Sequence, residues 1–185
     1  MKRLFAAIKI NPEPGLLNAY SEIKKLLCGE KITWVDERNI HITLKFFGDT
    51  PEENIPQIAD LFDLIAARHL SFSINLENTG IFGSSYNPRV IWFGITHSRP
   101  VELLAEDVLS TLNNNGYPND NQHFRPHLTI GRIKDLSDKR YFQQVVDRFK
   151  AISLQKVMVS NFELMESRLT PRGPVYSTLR VFKLG

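Results

Sequence analysis

The strongest constraint on the fold of this chain is a short pattern that occurs twice. The first copy, His-Ile-Thr-Leu, spans residues 41–44, and the second, His-Leu-Thr-Ile, spans residues 127–130, 86 positions later. Chance predicts about 0.24 His-x-Thr triplets in a chain of 185 residues with five His and nine Thr. Both copies alternate as a half-buried strand does, with residues two apart on the same face. We therefore expect two similar strands, each presenting an imidazole and a hydroxyl on one face and apolar residues on the other.

The rest of the chain alternates between helix-like and strand-like segments. We predict helices over 14–27, 51–65, 100–112 and 137–149, and strands over 3–10, 32–35, 40–47, 70–76, 80–82, 90–95, 127–133, 154–164 and 175–184. The polar residues 36–39 are expected to join two of these strands as a hairpin. Thr50 and Pro51 are expected to begin the second helix. Helices mixed with frequent hairpins predict an α+β fold with antiparallel sheets and helices on one face.

Composition limits the class of protein and the compartment in which it works. A length of 185 residues suits one domain or two small lobes that share a core. The single cysteine, Cys28, excludes an internal disulfide and a cysteine-based zinc site, and it favours a reducing compartment. No stretch approaches the roughly 18 apolar residues of a membrane span, and the apolar run from Leu4 to Ile8 is too short for a signal peptide. We therefore expect a soluble cytoplasmic protein with no membrane partner, and a monomer by default.

Charge is distributed unevenly along the chain. Residues 132–185 carry eleven Lys or Arg against five Asp or Glu, a net +6, whereas residues 1–131 carry twelve against fifteen, a net −3. A basic C-terminal third suits a polyanionic partner such as nucleic acid. The same distribution also fits a solvated basic surface without a partner, and charge alone favours that interpretation.

The repeated pattern carries a specific chemistry. Imidazole titrates near neutral pH, so one histidine can accept a proton while the other donates one. The adjacent Thr43 and Thr129 hydroxyls can donate hydrogen bonds to an oxyanion between them. This set suits displacement at a phosphodiester without a metal or another cofactor. Taken singly, His41 or His127 is more typical of a structural histidine, and only the matched pair favours catalysis.

The residues around the two copies resemble a known family. Residues 41–48 (HITLKFFG), 88–92 (PRVIW) and 124–132 (FRPHLTIGR) are similar to the two-histidine, or 2H, phosphoesterase superfamily, in particular its branch of 2′-5′ RNA ligases, also called RNA 2′,3′-cyclic phosphodiesterases. The resemblance covers essentially the whole chain. It implies one bilobal domain over residues 1–185, with pseudo-twofold symmetry, in which two antiparallel sheets with helices on their outer faces surround a central cleft.

The resemblance also implies roles for five residues. His41 and His127 would be catalytic, Thr43 and Thr129 would hold the scissile phosphate, and Arg132 would contribute at the same site. Strict alternation points Arg132 away from His127, because the two are five residues apart. A bulge at Gly131, or an end of the strand there, would re-aim it.

Other residues are weaker candidates. Lys45 shares the predicted face of His41, where it fits a phosphate contact or a solvated lysine equally well. Candidates for stacking on a base are Phe46, Phe47, Tyr86 and Phe124, although alternation points Phe46 inward; Arg89, Arg125 and Arg172 are candidates for RNA phosphates. We expect the remaining histidines, His69, His97 and His123, to be structural, and we expect no metal site.

The function implied is hydrolysis of 2′,3′-cyclic phosphate ends of RNA to 2′-phosphomonoesters, with reversible 2′-5′ RNA ligation at the same site. The partners implied are RNA ends or nucleotides that carry a 2′,3′-cyclic phosphate. Three alternatives stay open: a phosphodiesterase for small cyclic or 2′-5′-linked nucleotides, an RNA- or nucleotide-binding module without turnover, and a metal-dependent nuclease. The sequence leaves open which histidine is the acid and which is the base.

Overall fold

A computed structural model describes residues 1–118, 124–171 and 173–185. Its strands are β1 (Lys2–Lys9), β2 (Lys31–Trp34), β3 (His41–Thr50), β4 (Phe72–Ser84), β5 (Asn87–Thr96), β6 (His127–Asp135), β7 (Ser153–Val159), β8 (Asn161–Thr170) and β9 (Gly173–Lys183). Its α-helices are α1 (Pro14–Leu26), α2 (Ile55–Ala66), α3 (Arg99–Asn114) and α4 (Lys139–Arg148). Among these helices, none is long and apolar enough to cross a membrane.

The strands of the described residues form two antiparallel sheets. The first sheet has the order β3-β1-β8-β9 and the second has the order β2-β6-β5-β4-β7. Helices α2 and α3 pack on the first sheet, while α1 and α4 pack on the second. This arrangement confirms the prediction of an α+β fold made of two antiparallel sheets with helices on their outer faces.

Packing of α2 shows how the sequence produces this layering. Ile58, Phe62 and Ile65 recur at helical spacing on one face of α2, and all three are fully buried. The Phe62 ring packs edge-on against Phe162 of β8 and Phe182 of β9, with centroids 5.2 Å apart in both pairs. Burying a ring of this size contributes roughly 1.5–3 kcal/mol, so these contacts hold α2 against the first sheet.

The predicted hairpin across residues 36–39 is wrong. Strand β2 pairs with β6 in the second sheet, whereas β3 pairs with β1 in the first. Between them, residues Glu37–Asn39 form a 3-10 turn, and the Asp36 carboxylate accepts a hydrogen bond from the Arg38 backbone amide at 3.0 Å. Alternation of apolar and polar residues predicts a strand but does not identify its partner, so the change of sheet was not visible.

Other boundaries also differ from the prediction. The segment 154–164 is two strands rather than one, because β7 pairs with β4 and β8 pairs with β1. The predicted strands 70–76 and 80–82 are parts of a single strand, β4, which begins at Phe72 and shifts its register with β5 near Asn78, at φ 62°. Helix α2 begins at Ile55 instead of Pro51, and the Thr50 hydroxyl bonds to the Gly48 carbonyl instead of capping the helix.

The two sheets approach each other through strands β3 and β6. Each of these strands carries one copy of the repeated His-x-Thr pattern at its start. The fold therefore brings the two copies together from opposite walls, although 86 residues separate them in the chain.

Candidate active site

Strands β3 and β6 follow the same irregular path. Each contains an extra residue directly after the threonine of its pattern, as in a β-bulge: Leu44 after Thr43, relative to β1, and Ile130 after Thr129, relative to β5. Strand β3 has a second extra residue at Phe47. The sequence of buried, half-buried and exposed positions over 41–47 is repeated without change over 127–133. The two walls of the cleft therefore present matching surfaces, a histidine and a threonine from each.

Both histidine rings are held by a matching hydrogen bond. The His41 Nδ1 lies 2.6 Å from the Asn39 carbonyl oxygen, and the His127 Nδ1 lies 2.7 Å from that of Arg125. A carbonyl oxygen only accepts, so Nδ1 carries the proton in both rings. When the rings are neutral, Nε2 is therefore the free basic nitrogen of each, and it is available to exchange a proton with a substrate.

Aromatic side chains fix the two rings from the side. His41 contacts both Phe5 and Tyr176, with ring centroids 5.1 and 5.4 Å away. His127 packs against Phe82 with a centroid distance of 4.6 Å. Both Tyr176 and Phe82 stand nearly perpendicular to their histidine, at 85°. His41 thus contacts two aromatic rings and His127 contacts one.

The cleft lowers the pKa of both histidines. Burial is the main cause in each case, since the charged imidazolium is poorly solvated there, and the backbone hydrogen bonds oppose the shift only in part. The positive charge of Arg132 lowers the pKa of both rings further, and His127 lowers that of His41. Arg132 and the two histidines therefore lie close enough to act on one another.

Arg132 reaches the cleft because of the bulge in β6. The core-facing residues of this strand are Leu128 before the bulge, Ile130 at the bulge and Ile133 after it, so the alternation changes phase. Arg132 is therefore exposed on the same face as His127. Strict alternation, which would place Arg132 on the face opposite His127, does not hold in this strand. The bulge that the sequence suggested at Gly131 is present one residue earlier, at Ile130. Gly131 itself packs so tightly that an added Cβ would stand 2.8 Å from Ile32.

The matching bulge in β3 reverses two expectations. Lys45 does not share the face of His41: it is only 7% exposed, and its Nζ donates to the Pro118 carbonyl at 2.6 Å. Phe46, expected to point inward, is instead 43% exposed. The guanidinium of Arg3, which sequence reasoning did not single out, lies 4.7 Å from the centre of the Phe46 ring. Phe46 occupies the place in β3 that Arg132 occupies in β6.

The other stacking and histidine candidates lie elsewhere. Phe47 packs into the core against Phe62 at 6.1 Å, Phe124 is half-buried against the core, and Tyr86 is 81% exposed at the β4–β5 turn. His69 bonds to Asp107 at 2.9 Å and His97 to Asn75 at 3.2 Å, so both have structural partners. The candidates His123 and Arg172 lie outside the described residues.

Trp92 supports the second wall beside Thr129. The two residues face each other on β5 and β6, and the Trp92 indole covers Gly80 of β4. Its Nε1–H is buried without a hydrogen-bond partner among the described residues. Residues 88–92 were noted only for their resemblance to the family, and the structure explains their place beside the site.

Tyr176, Phe82 and Phe5 were missed at the level of the sequence. They belong to strands far along the chain from the histidine that each one contacts, and nothing in their local pattern marks them. Only the register of β9, β4 and β1 reveals these contacts.

The described residues contain no group of three or more His, Cys, Asp or Glu side chains that could hold a metal ion. The side chains in the cleft are suited instead to acid–base chemistry on an anion. They comprise two imidazoles with available Nε2 atoms, two hydroxyls and a guanidinium.

Comparison with known proteins defines the family. The model of the family LigT like Phosphoesterase matches residues 8–92 and 96–176. A protein of Archaeoglobus fulgidus named RNA 2′,3′-cyclic phosphodiesterase is 32% identical over 182 residues, which cover 98% of this chain and 99% of that protein. A protein of Thermotoga maritima with the same name is 34% identical over 178 residues, or 96% of this chain and 92% of that protein. The chain belongs to the LigT-like phosphoesterase family and is an enzyme of that class.

Solved structures agree with this assignment. The crystal structure of TT0787 from Thermus thermophilus superposes with a TM-score of 0.81 at 27% identity, covering 98% of this chain and 97% of that one. E. coli LigT in complex with 3′-AMP gives a TM-score of 0.72 at 24% identity, over 99% of this chain and 98% of that one, and supports the fold.

Proposed function

We propose that this enzyme hydrolyses 2′,3′-cyclic phosphate ends of RNA to 2′-phosphomonoesters by acid–base catalysis between His41 and His127. The single observation that carries the proposal is the matched geometry of the two histidines. Each ring donates from Nδ1 to a backbone carbonyl two residues earlier, at 2.6 and 2.7 Å, and keeps Nε2 available to the cleft. Relatives over nearly the whole chain are named for this activity.

The reaction is a single displacement at phosphorus. His127 Nε2 removes a proton from water as the water oxygen forms a bond to phosphorus. The bond from phosphorus to O3′ breaks, and His41 donates its Nε2 proton to the departing oxygen. Thr43, Thr129 and Arg132 donate hydrogen bonds to the phosphoryl oxygens, where negative charge accumulates. With a 5′-hydroxyl in place of water, the same steps form a 2′-5′ bond as O3′ departs, which is the proposed ligase activity, and the reverse of these steps cleaves that bond.

The division of roles fixes the protonation state of each ring at the start of the reaction. His41, as the acid, enters as the imidazolium with a proton on both Nδ1 and Nε2, and His127, as the base, enters neutral with a free Nε2.

A basic cavity next to the cleft favours RNA over mononucleotides. A cavity of about 320 Å³ is lined by residues from the starts of β5 and α4 and the end of β6, among them three cations, Arg89, Lys134 and Lys139, and one carboxylate, Asp135. None of these three cations forms an ion pair with another described residue. Lys134 lies two residues beyond Arg132 on the same strand, so the cavity could receive phosphates upstream of the reacting end. Exposed Phe46 is the proposed stacking surface for the terminal base.

Phosphorus NMR of the product formed from a 2′,3′-cyclic nucleotide, with EDTA present, tests this proposal. We expect a 2′-phosphomonoester from the wild type, and at least a hundredfold slower turnover in His41→Ala and His127→Ala. His69→Asn, which alters a histidine paired with Asp107, is the matched control and keeps wild-type turnover. Product formation that EDTA abolishes, or that survives both alanine substitutions, would overturn the mechanism.

The alternative substrate class is a small cyclic or 2′-5′-linked nucleotide. Turnover of a cyclic mononucleotide compared with a cyclic-ended oligonucleotide separates the two. We expect the oligonucleotide to have the lower KM and a stronger dependence on salt, since it reaches the basic cavity. A cytoplasmic location and a monomeric state stay predictions.

A further inference from the structure

Tyr176 breaks the likeness between the two walls of the cleft. Each histidine has an aromatic ring standing at 85° to it, but the partner of His41 is a tyrosine whereas the partner of His127 is Phe82. The rings provide similar apolar contact. They differ in one group, the phenolic hydroxyl, which is present only on the His41 side.

The ring of Tyr176 is held firmly in place. It packs against Phe5 with centroids 4.9 Å apart, within a small cluster that also contains the buried residues Ala7 and Met165. The start of its strand is attached to the turn before His41, because the Asn39 side-chain amide donates to the Pro174 carbonyl at 3.1 Å. The Asn39 carbonyl also accepts the bond from His41 Nδ1. One residue thus fixes both the histidine and the strand that carries the tyrosine.

The hydroxyl itself is unused by the fold. It makes no hydrogen bond to another described residue, and it is not among the buried polar atoms of the described chain, so it remains open to solvent. Burial of the ring raises the pKa of Tyr176, while the charges of Arg132 and Arg3 partly offset that rise. The hydroxyl therefore remains a donor at neutral pH, in the positive surroundings that an anion would seek.

We propose that Tyr176 is a further substrate-binding residue, whose hydroxyl donates a hydrogen bond to an oxygen of the phosphate on the His41 side. The proposal rests on the proposed function, since it assigns a contact to the same phosphate. This hydroxyl makes the two walls of the cleft chemically unequal. Three hydrogen-bond donors lie on the repeated strands β3 and β6, namely Thr43, Thr129 and Arg132, whereas the fourth donor, Tyr176, lies on β9, outside the repeat. A donor at this place also favours one orientation of the cyclic phosphate.

The substitution Tyr176→Phe tests this contact, because it removes the hydroxyl and leaves the ring against His41 and Phe5. We expect kcat/KM for a 2′,3′-cyclic mononucleotide to fall at least tenfold, as for loss of a donor to a charged group. Binding of a 2′-nucleotide product, measured by titration calorimetry, is expected to weaken as well. Tyr141→Phe, on the exposed side of α4, is the matched control and keeps wild-type values.

Tyr176→Leu separates the hydroxyl from the ring. If Tyr176→Phe behaves as the wild type and only Tyr176→Leu loses activity, the ring acts by packing alone and the proposal is wrong. If Tyr176→Phe and Tyr141→Phe lose activity equally, the proposal is also wrong. Failure of the wild type to hydrolyse any cyclic phosphate would instead refute the proposed function, so the two failures are distinguishable.

Discussion

Replacing Gly80 with alanine tests whether the wall that carries Thr129 depends on close packing of Trp92. Gly80 lies opposite Trp92, and an added Cβ would stand 2.9 Å from Cε2 of the indole and closer still to Cζ2 and Cη2. Contacts of this kind do not persist, so the ring must tilt or β4 must move away. Overpacking of a well-filled site costs about 1–3 kcal/mol.

This cost converts into a measurable shift of melting temperature. For a chain of 185 residues, 1 kcal/mol corresponds to roughly 2–4 °C, so we expect Gly80→Ala to lower Tm by about 2–12 °C. We also expect kcat/KM to fall, because Trp92 lies directly opposite Thr129. Differential scanning calorimetry and turnover of a cyclic nucleotide measure the two effects.

A second glycine provides the control. An added Cβ on Gly29 would meet no heavy atom within 4 Å, so we expect Gly29→Ala to change stability by no more than about 0.5 kcal/mol. Combining Gly80→Ala with Trp92→Leu removes the obstructing ring, and the added cost of the alanine should largely vanish in that background. A melting temperature for Gly80→Ala within 1 °C of wild type (below the roughly 2 °C expected) would refute the packing argument.

Three further predictions follow from the same structure. Because burial lowers the pKa of both histidines below the ordinary 6.5, we expect the kcat/KM–pH profile of the free enzyme to be bell-shaped, with its maximum on the acid side of 6.5; a flat profile between about pH 5 and 9 would contradict it. As pH falls, histidines in the unfolded chain bind protons before those in the folded protein, because only the folded pKa is lowered. We therefore expect the free energy of unfolding to decrease as pH falls below 6.5, and urea titrations at several pH values measure this decrease. Thr79→Val removes the hydrogen bond that the buried Thr79 hydroxyl donates to the Val146 carbonyl at 2.7 Å. We expect the free energy of unfolding in urea to fall by about 1–3 kcal/mol while kcat is unchanged. An unchanged urea midpoint would show that this bond does not stabilise the packing of α4 on β4.

The sequence predicted the two histidine strands because their chemistry is local. His41 and Thr43 share a face through simple alternation, as do His127 and Thr129, and the buried residues between them confirm the phase. The element types were also largely predictable, since apolar periodicity of strands and helices is set by neighbours along the chain.

Features that depend on pairing between distant strands could not be predicted. The extra residues Leu44 and Ile130 are apolar and look like ordinary strand positions, yet they reverse the faces of Lys45 and Phe46 and bring Arg132 to the cleft. The backbone of a bulge is chosen by tertiary context rather than by local propensity. Sheet membership of β2 and β8 was hidden for the same reason.

The route of the chain between its two sheets has a consequence for how the enzyme unfolds. The backbone passes from one sheet to the other between β1 and β2, β2 and β3, β3 and β4, and β7 and β8. Neither sheet is a continuous stretch of sequence, so cutting any one of these connections leaves the first sheet assembled from both fragments. A cut between β2 and β3, or between β3 and β4, divides the second sheet between the fragments as well, although either cut leaves only β2 of that sheet on the first fragment. Proteolysis at a single exposed turn should therefore yield a nicked but associated enzyme, and melting should occur as one cooperative event.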